Sequence, residues 1–242
     1  MFARVIRTAI DEVVDGPRTG RWSLEQLANP EKTYVGTKVE IVAKALLGLP
    51  GSVEQDAEIA GYHVNIKWSK SLVWMIGPEN VGAWCLGIGL SHEGSRFSVG
   101  LFQALESRLN RGGNRDGKRT LTRRAFENDV NWLIRDAELP PNFLETLEPI
   151  TRDAIFAEKS AQARVRKLVS LVQAVPIPRE AFYTVALNKD DPMRRLRRDK
   201  NRTDPLGGMV ILSSRYGRQE LERRGIPIPP KGHFIAVPDT IK

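Results

Sequence analysis

The sequence predicts two domains of different class: a mixed α/β domain over residues 1–138 and a winged helix-turn-helix-like domain over 139–242. Three observations carry this. Short apolar runs punctuated by Gly and Pro fill the N-terminal part. After about residue 122 the pattern turns helical. A helix, a short helix, a basic helix and a late pair of strands then follow in the order a winged helix-turn-helix writes. A length of 242 residues accommodates two domains of ordinary size.

Taken in order, residues 2–14 place apolar and charged side chains at helical spacing. Residues 34–49 follow Thr33 and read as a helix with Val39, Ile41, Val42, Leu46 and Leu47 inward. A turn at Pro50, Gly51 and Ser52 leads to two strands around Gly61, over 57–68. Residues 72–76, 84–90 and 97–102 are further apolar strands, and Trp68, Trp74 and Trp84, in or near strands, read as core rather than as stacking platforms. Residues 124–136 and 155–173 read as helices, with Pro140 and Pro141 as the boundary region. A short helix at 179–187 precedes a basic helix at 192–200, opened by Pro192 in its first turn. Strands at 208–213 and 233–237 flank a helix at 217–224.

Composition excludes several classes. A hydrophobic fraction of 41% and a charged fraction of 27% exclude a disordered chain and a coiled coil. No apolar run approaches the ~20 residues of a membrane helix, so no membrane partner is expected. The first residues lack a secretory h-region, so secretion is not expected and a cytoplasmic location is. Cys85 is the single cysteine, which excludes disulfide frameworks and zinc–cysteine sites. The net charge is +8. Residues 1–120 hold 15 Lys+Arg and 13 Asp+Glu, and residues 121–242 hold 22 and 16. Two Arg-dominated blocks stand out. The first, Arg108, Arg111, Asn114, Arg115, Lys118 and Arg119, lies in a Gly/Asn-rich loop. The second, Arg194, Arg195, Arg197 and Arg198, lies on the basic helix. Arg forks pair with phosphates and base edges, so both blocks point to nucleic acid.

The candidates for chemistry are Glu40, Asp56, Asn65 and Lys67, a spacing that an edge strand with solvated polar residues would also produce. Alternate residues of a strand share a face, so His63, Asn65 and Lys67 point one way. Asp56 precedes them at a turn, and Glu40 sits on the preceding helix. The arrangement resembles the PD-(D/E)XK nuclease pattern, in which acids gather Mg²⁺ at a scissile phosphate beside a lysine. His63 is read as a structural or DNA-facing histidine rather than a ligand.

Longer stretches bear on the same question. Residues 19–27 (TGRWSLEQL), 31–40 (EKTYVGTKVE), 56–67, 98–101 (SVGL) and 108–121 (RLNRGGNRDGKRTL) resemble the NaeI family of type II restriction endonucleases. Residues 191–195 (DPMRR), 208–212 (GMVIL) and 225–232 (GIPIPPKG) resemble that family's second domain. The resemblance implies a restriction-endonuclease-like first domain that cleaves double-stranded DNA with Mg²⁺. It implies a winged-helix-like second domain that binds another copy of the site as an allosteric activator, and a homodimer. Glu40, Asp56 and Lys67 fall on the family's catalytic glutamate, first aspartate and lysine. Asn65 falls where the family has its second aspartate, among the metal ligands Glu40, Asp56 and Asn65.

That substitution keeps the shape and one coordinating oxygen but removes a charge. Three readings stay open: a working but altered site, a DNA-binding protein with a decayed nuclease site, and an engineered inactive form. Residues 13–18 (VVDGPR) also resemble the K-x-D-G-x-R motif of DNA ligases. Val13 replaces the nucleophilic lysine, so ligase chemistry is not expected.

Overall fold

Helix α1 (Phe2–Val14) forms where Val5, Ile6, Ala9, Ile10 and Val13 recur on one stripe, and all five are buried in the computed structural model. Residues 1–51, 55–187 and 206–239 are described in it. A four-residue helix, α2 (Gly16–Thr19), follows at once. Helix α3 (Asn29–Leu47) begins earlier than periodicity predicts. Pro30 occupies its first turn, and the Glu31 carboxylate reaches back to accept from the Ala28 N–H at 2.8 Å. It ends where Gly48 adopts φ 65° and donates its N–H to the Lys44 carbonyl. Val35, Val39, Val42 and Ala43 form the buried stripe. Ile41, expected inward, is 46% exposed because this stripe turns it outward.

The chain divides into two units, Met1–Val13 with Leu27–Pro141 and Val14–Gln26 with Asn142–Lys242. Residues Val14–Gln26 thus pack with the second unit, although the sequence places them in the first domain. In that second unit the Trp22 ring lies 4.7 Å from Phe156, under the Arg152 guanidinium.

The first unit is built on a five-stranded sheet of order β1-β2-β3-β4-β5. Its strands are β1 (Ala57–Ile59), β2 (Tyr62–Ser69), β3 (Trp84–Ser91), β4 (Arg96–Gln103) and β5 (Asn131–Glu138). Only β2 and β3 run parallel; the other pairs are antiparallel. Helix α3 lies against β2, where a Cβ on Gly36 would sit 3.7 Å from the Trp68 ring.

Two expectations in this unit are corrected. Residues 72–76 form no strand; Ile76 makes an isolated bridge to Arg119. Trp74 lies beneath the sheet instead, 1% exposed, stacked on Phe102 and donating its ring N–H to the Ile88 carbonyl at 3.1 Å. Gly87 makes room for it, since a Cβ there would lie 2.5 Å from the ring. The helix expected at 124–136 stops early. Helix α4 (Arg123–Asn128) is capped by the Thr122 side chain, and the chain then enters β5. Residues 131–136 alternate exposed and half-buried side chains, the period of an edge strand.

In the second unit, the single helix expected at 155–173 is two, α5 (Pro149–Phe156) and α6 (Ala161–Leu171), separated where Ser160 caps the Ala163 N–H. Helix α7 (Arg179–Ala186) follows. Its Thr184 meets α2, where a Cβ on Gly16 would lie 2.5 Å from Thr184 Oγ1. The Asp-Gly of the ligase-like stretch is therefore explained by packing. Asp15 is held by an ion pair to Arg18. The strands β6 (Pro176–Pro178), β7 (Met209–Ser213) and β8 (His233–Pro238) form an antiparallel sheet of order β6-β8-β7. Sequence reading missed β6, whose prolines fit an edge position. Helix α8 (Arg218–Arg223) lies between β7 and β8 in sequence. The basic helix at 192–200, with Arg194, Arg195, Arg197 and Arg198, lies outside the described residues. Among the described residues, no helix is long and apolar enough to cross a membrane.

Candidate functional site

The β1–β2 hairpin sets the geometry. Its register pairs Ala57 with Val64, so Asp56 stands at the open end of the hairpin, just past the last paired residue. There the Asp56 side chain continues the pairing: Oδ2 accepts the Ile66 N–H at 2.7 Å. That bond pins the carboxylate between Asn65 and Lys67, which share a face of β2. Glu40 comes from α3, the helix laid against the same strand, and pairs with Lys44 one turn on at 2.7 Å.

Electrostatics tie these side chains together. Burial pushes the Asp56 carboxyl above the ordinary carboxylate range. The Ile66 N–H opposes this, the Glu40 charge adds to it, and Lys67 and Lys44 draw it back. Cys85, the β3 partner of Asn65, has its thiol pushed up to about 11, chiefly by burial. Lys67 and Asp56 act on it in opposite directions. A thiol with so little thiolate at neutral pH is not a nucleophile.

Asn65 is 7% exposed, and its amide is engaged rather than open. Its Nδ2 donates to Gln55 Oε1 and to Asn80 Oδ1. Asn80 in turn donates from Nδ2 to Glu79 Oε1 at 2.7 Å. His63, expected on the face of Asn65 and Lys67, lies on the exposed outer part of β2, opposite Glu58.

The donor set fits a hard dication. Two carboxylates, Glu40 and Asp56, lie within electrostatic reach of each other, and Asn65, next to the Ile66 that Asp56 holds, carries an amide oxygen. Mg²⁺ is commonly bound by one or two carboxylates plus waters and substrate phosphate. Among the described residues, no three His, Cys, Asp or Glu side chains cluster; with Asn at position 65, Glu40 and Asp56 are the carboxylates of this set.

The basic loop is a folded finger. Asn110 N–H donates to the Thr120 carbonyl, and Leu109 bridges Leu121. At its tip, Asn114 Oδ1 accepts the N–H groups of Asp116 and Lys118 at 3.0 and 2.9 Å, building the turn. Gly117, at φ 72°, completes it, and a Cβ there would lie 3.3 Å from Pro78. Pro78 opens the short 3₁₀ turn Pro78–Asn80, so the finger adjoins the residues that hold Asn65. The six expected contact residues therefore divide. Arg119 is held by both Glu106 oxygens at 2.7 Å, and Arg108 donates to the Gln103 carbonyl and lies 3.6 Å from Asp129. Asn114 has its carbonyl committed to the turn. Arg111, Arg115 and Lys118 are exposed, with no ion pair among the described residues.

Sequence reading did not single out Lys44, Gln55, Glu79 and Asn80. The i, i+4 spacing from Glu40 signals Lys44. Gln55 and Asn80 come together with Asn65 through tertiary structure, with no local pattern to mark them.

A five-stranded mixed sheet, with a helix against the strand that carries the lysine, is compatible with the restriction-endonuclease-like class of proteins. Likeness to known proteins narrows this. Residues 1–240 match the family model of Restriction endonuclease NaeI. The chain is 35% identical over 244 residues to "Type II restriction enzyme NaeI" of Lentzea aerocolonigenes, spanning 97% of this chain and 76% of that one. The chain belongs to the NaeI restriction endonuclease family, a family of DNA-hydrolysing enzymes.

Proposed function

We propose that the protein is a site-specific endonuclease that hydrolyses phosphodiester bonds of double-stranded DNA with Mg²⁺. The observation that carries this is the Asp56–Ile66 bond, which gathers Asp56, Asn65 and Lys67 at one end of a hairpin within electrostatic reach of Glu40. Glu40, Asp56 and Asn65 would hold the ion. When bound, Mg²⁺ lowers the pKa of the attacking water and offsets charge developing on the phosphate. Lys67 orients that water and neutralises a phosphate oxygen. The water oxygen bonds to phosphorus as the bond to the 3′ oxygen breaks, leaving a 5′-phosphate and a 3′-hydroxyl.

Arg111, Arg115 and Lys118 hold the DNA backbone beside this site, with Arg108, Asn114 and Arg119 shaping the finger that presents them. The C-terminal unit is winged-helix-like. It binds a second DNA copy through Arg194, Arg195, Arg197 and Arg198 and activates cleavage allosterically. The protein acts as a homodimer, so that both strands are cut.

Incubation of the purified protein with several supercoiled plasmids and Mg²⁺ or Mn²⁺ is expected to give discrete linear fragments with 5′-phosphate ends. Cleavage that does not depend on metal refutes the proposed chemistry. A second reading is favoured by Asn65 itself: a DNA-binding protein whose nuclease site is inactive. It predicts sequence-preferring binding in EDTA with no hydrolysis in either metal.

Arg115→Ala is expected to weaken binding uniformly across sequences and to lower the slope of log affinity against log salt by about 1. An unchanged slope, measured by fluorescence anisotropy over a salt series, removes Arg115 from the contact set.

A further inference from the structure

The amide of Asn65 is held in one orientation by a relay that ends on a charge. Asn65 and Asn80 are 7% and 5% exposed, so neither amide exchanges freely with water. Asn65 Nδ2 has two hydrogens, and Gln55 Oε1 and Asn80 Oδ1 take both. Asn80 points its own Nδ2 at Glu79 Oε1. A carboxylate only accepts hydrogen bonds, so Glu79 fixes the direction of the relay. Glu79 accepts, Asn80 donates to it and accepts from Asn65, and Asn65 donates. Turning the Asn80 amide over would set its oxygen against the Glu79 carboxylate and its NH₂ against that of Asn65. The remaining polar atom of Asn65, Oδ1, accepts no hydrogen bond among the described residues.

Resting on the metal-site reading above, we propose that Glu79 and Asn80 are positioning residues that present the carbonyl oxygen of Asn65, and not its NH₂ group, to the cation held with Glu40 and Asp56. The reverse orientation would aim N–H groups at a dication. An amide at this position is a usable ligand only when its neighbours fix which end faces inward. Groups behind a ligand that fix its orientation are typically worth about 10–100-fold in metal affinity or activity.

The test is Mn²⁺ binding to the full chain without DNA, measured by calorimetry and by the loss of the free-ion electron paramagnetic resonance signal. Glu79→Ala and Asn80→Ala are each expected to weaken Mn²⁺ binding about 10–100-fold. Glu79→Gln, whose amide can turn either its oxygen or its NH₂ to Asn80, is expected to lose part of the binding, because it no longer fixes the direction of the relay. Glu79 is exposed, so its variants fold even if Asn80→Ala does not. Asp56→Asn separates the two levels of the argument. Mn²⁺ binding that depends on Asp56 but is unchanged in Glu79→Ala overturns the relay alone. Mn²⁺ binding that does not depend on Asp56, or none at all in the unmodified chain, overturns the metal site and the relay with it.

Discussion

Asp56→Asn is expected to slow Mg²⁺-dependent cleavage about 10³-fold while leaving the fold intact. The reasoning starts from the small number of charges available to the ion. With Asn at position 65, Glu40 and Asp56 are the two carboxylates of the site, and Glu40 is already paired with Lys44 at 2.7 Å. Asp56→Asn leaves one carboxylate, and that one competes with a lysine. A catalytic metal supplies several kcal/mol of barrier lowering, and each 1.36 kcal/mol is tenfold in rate. The fold is spared because an amide oxygen still accepts the Ile66 N–H that pins the end of the hairpin. Burial and Glu40 both disfavour the Asp56 charge, so its removal costs no folding stability. Single-turnover cleavage and a thermal melt of the same preparation decide it. Retained activity removes Asp56 from the metal site. Lost activity with a collapsed melt assigns it a structural role instead.

The parts of this protein that were legible in its sequence are those governed by local chemistry. Helix α1, the hairpin around Gly61, and strands β3 and β4 follow from periodicity and punctuation within each segment. Residues 124–136 carry Phe126, Val130 and Leu133 at helical spacing and Val130, Trp132 and Ile134 at the alternation of a strand, so both readings are satisfied. Pairing with β4, where Gly100 admits Val130 and Trp132, decides in favour of a strand. Residues 72–76 are apolar enough for a strand, but the bulk of Trp74 is better buried under Gly87 than spread along a sheet edge. The site divides in the same way. Asn65 and Lys67 share a face because a strand has period two, and this is readable. The Asp56–Ile66 bond depends on where the hairpin register ends. Arg108 and Arg119 look like the free cations of the basic block, yet Asp129 and Glu106 neutralise them through loop geometry that sequence spacing does not encode.

Asn65→Asp is expected to raise both metal affinity and cleavage about tenfold or more, and to lower stability. The gain follows from charge: a third carboxylate faces the dication, and even groups behind the ligands of such sites are worth about 10–100-fold. The loss follows from the relay. A carboxylate donates nothing, so Gln55 Oε1 and Asn80 Oδ1 would each face another acceptor until their amides turn. Gln55 can turn toward it with Nε2. Asn80 turns only by breaking its bond to Glu79 and setting two acceptors together. An unsatisfied buried polar group costs about 1–3 kcal/mol, which sets the size of the expected destabilisation in metal-free buffer. Mg²⁺ is expected to recover part of it, because a ligand that binds the folded state raises its apparent stability. Thermal melts with and without Mg²⁺, run beside a cleavage assay of both proteins, read the two effects separately. Stability unchanged in EDTA would show that the relay has no fixed direction. Absence of cleavage from both proteins, in Mg²⁺ and in Mn²⁺, would sink the nuclease assignment and leave the DNA-binding reading in its place.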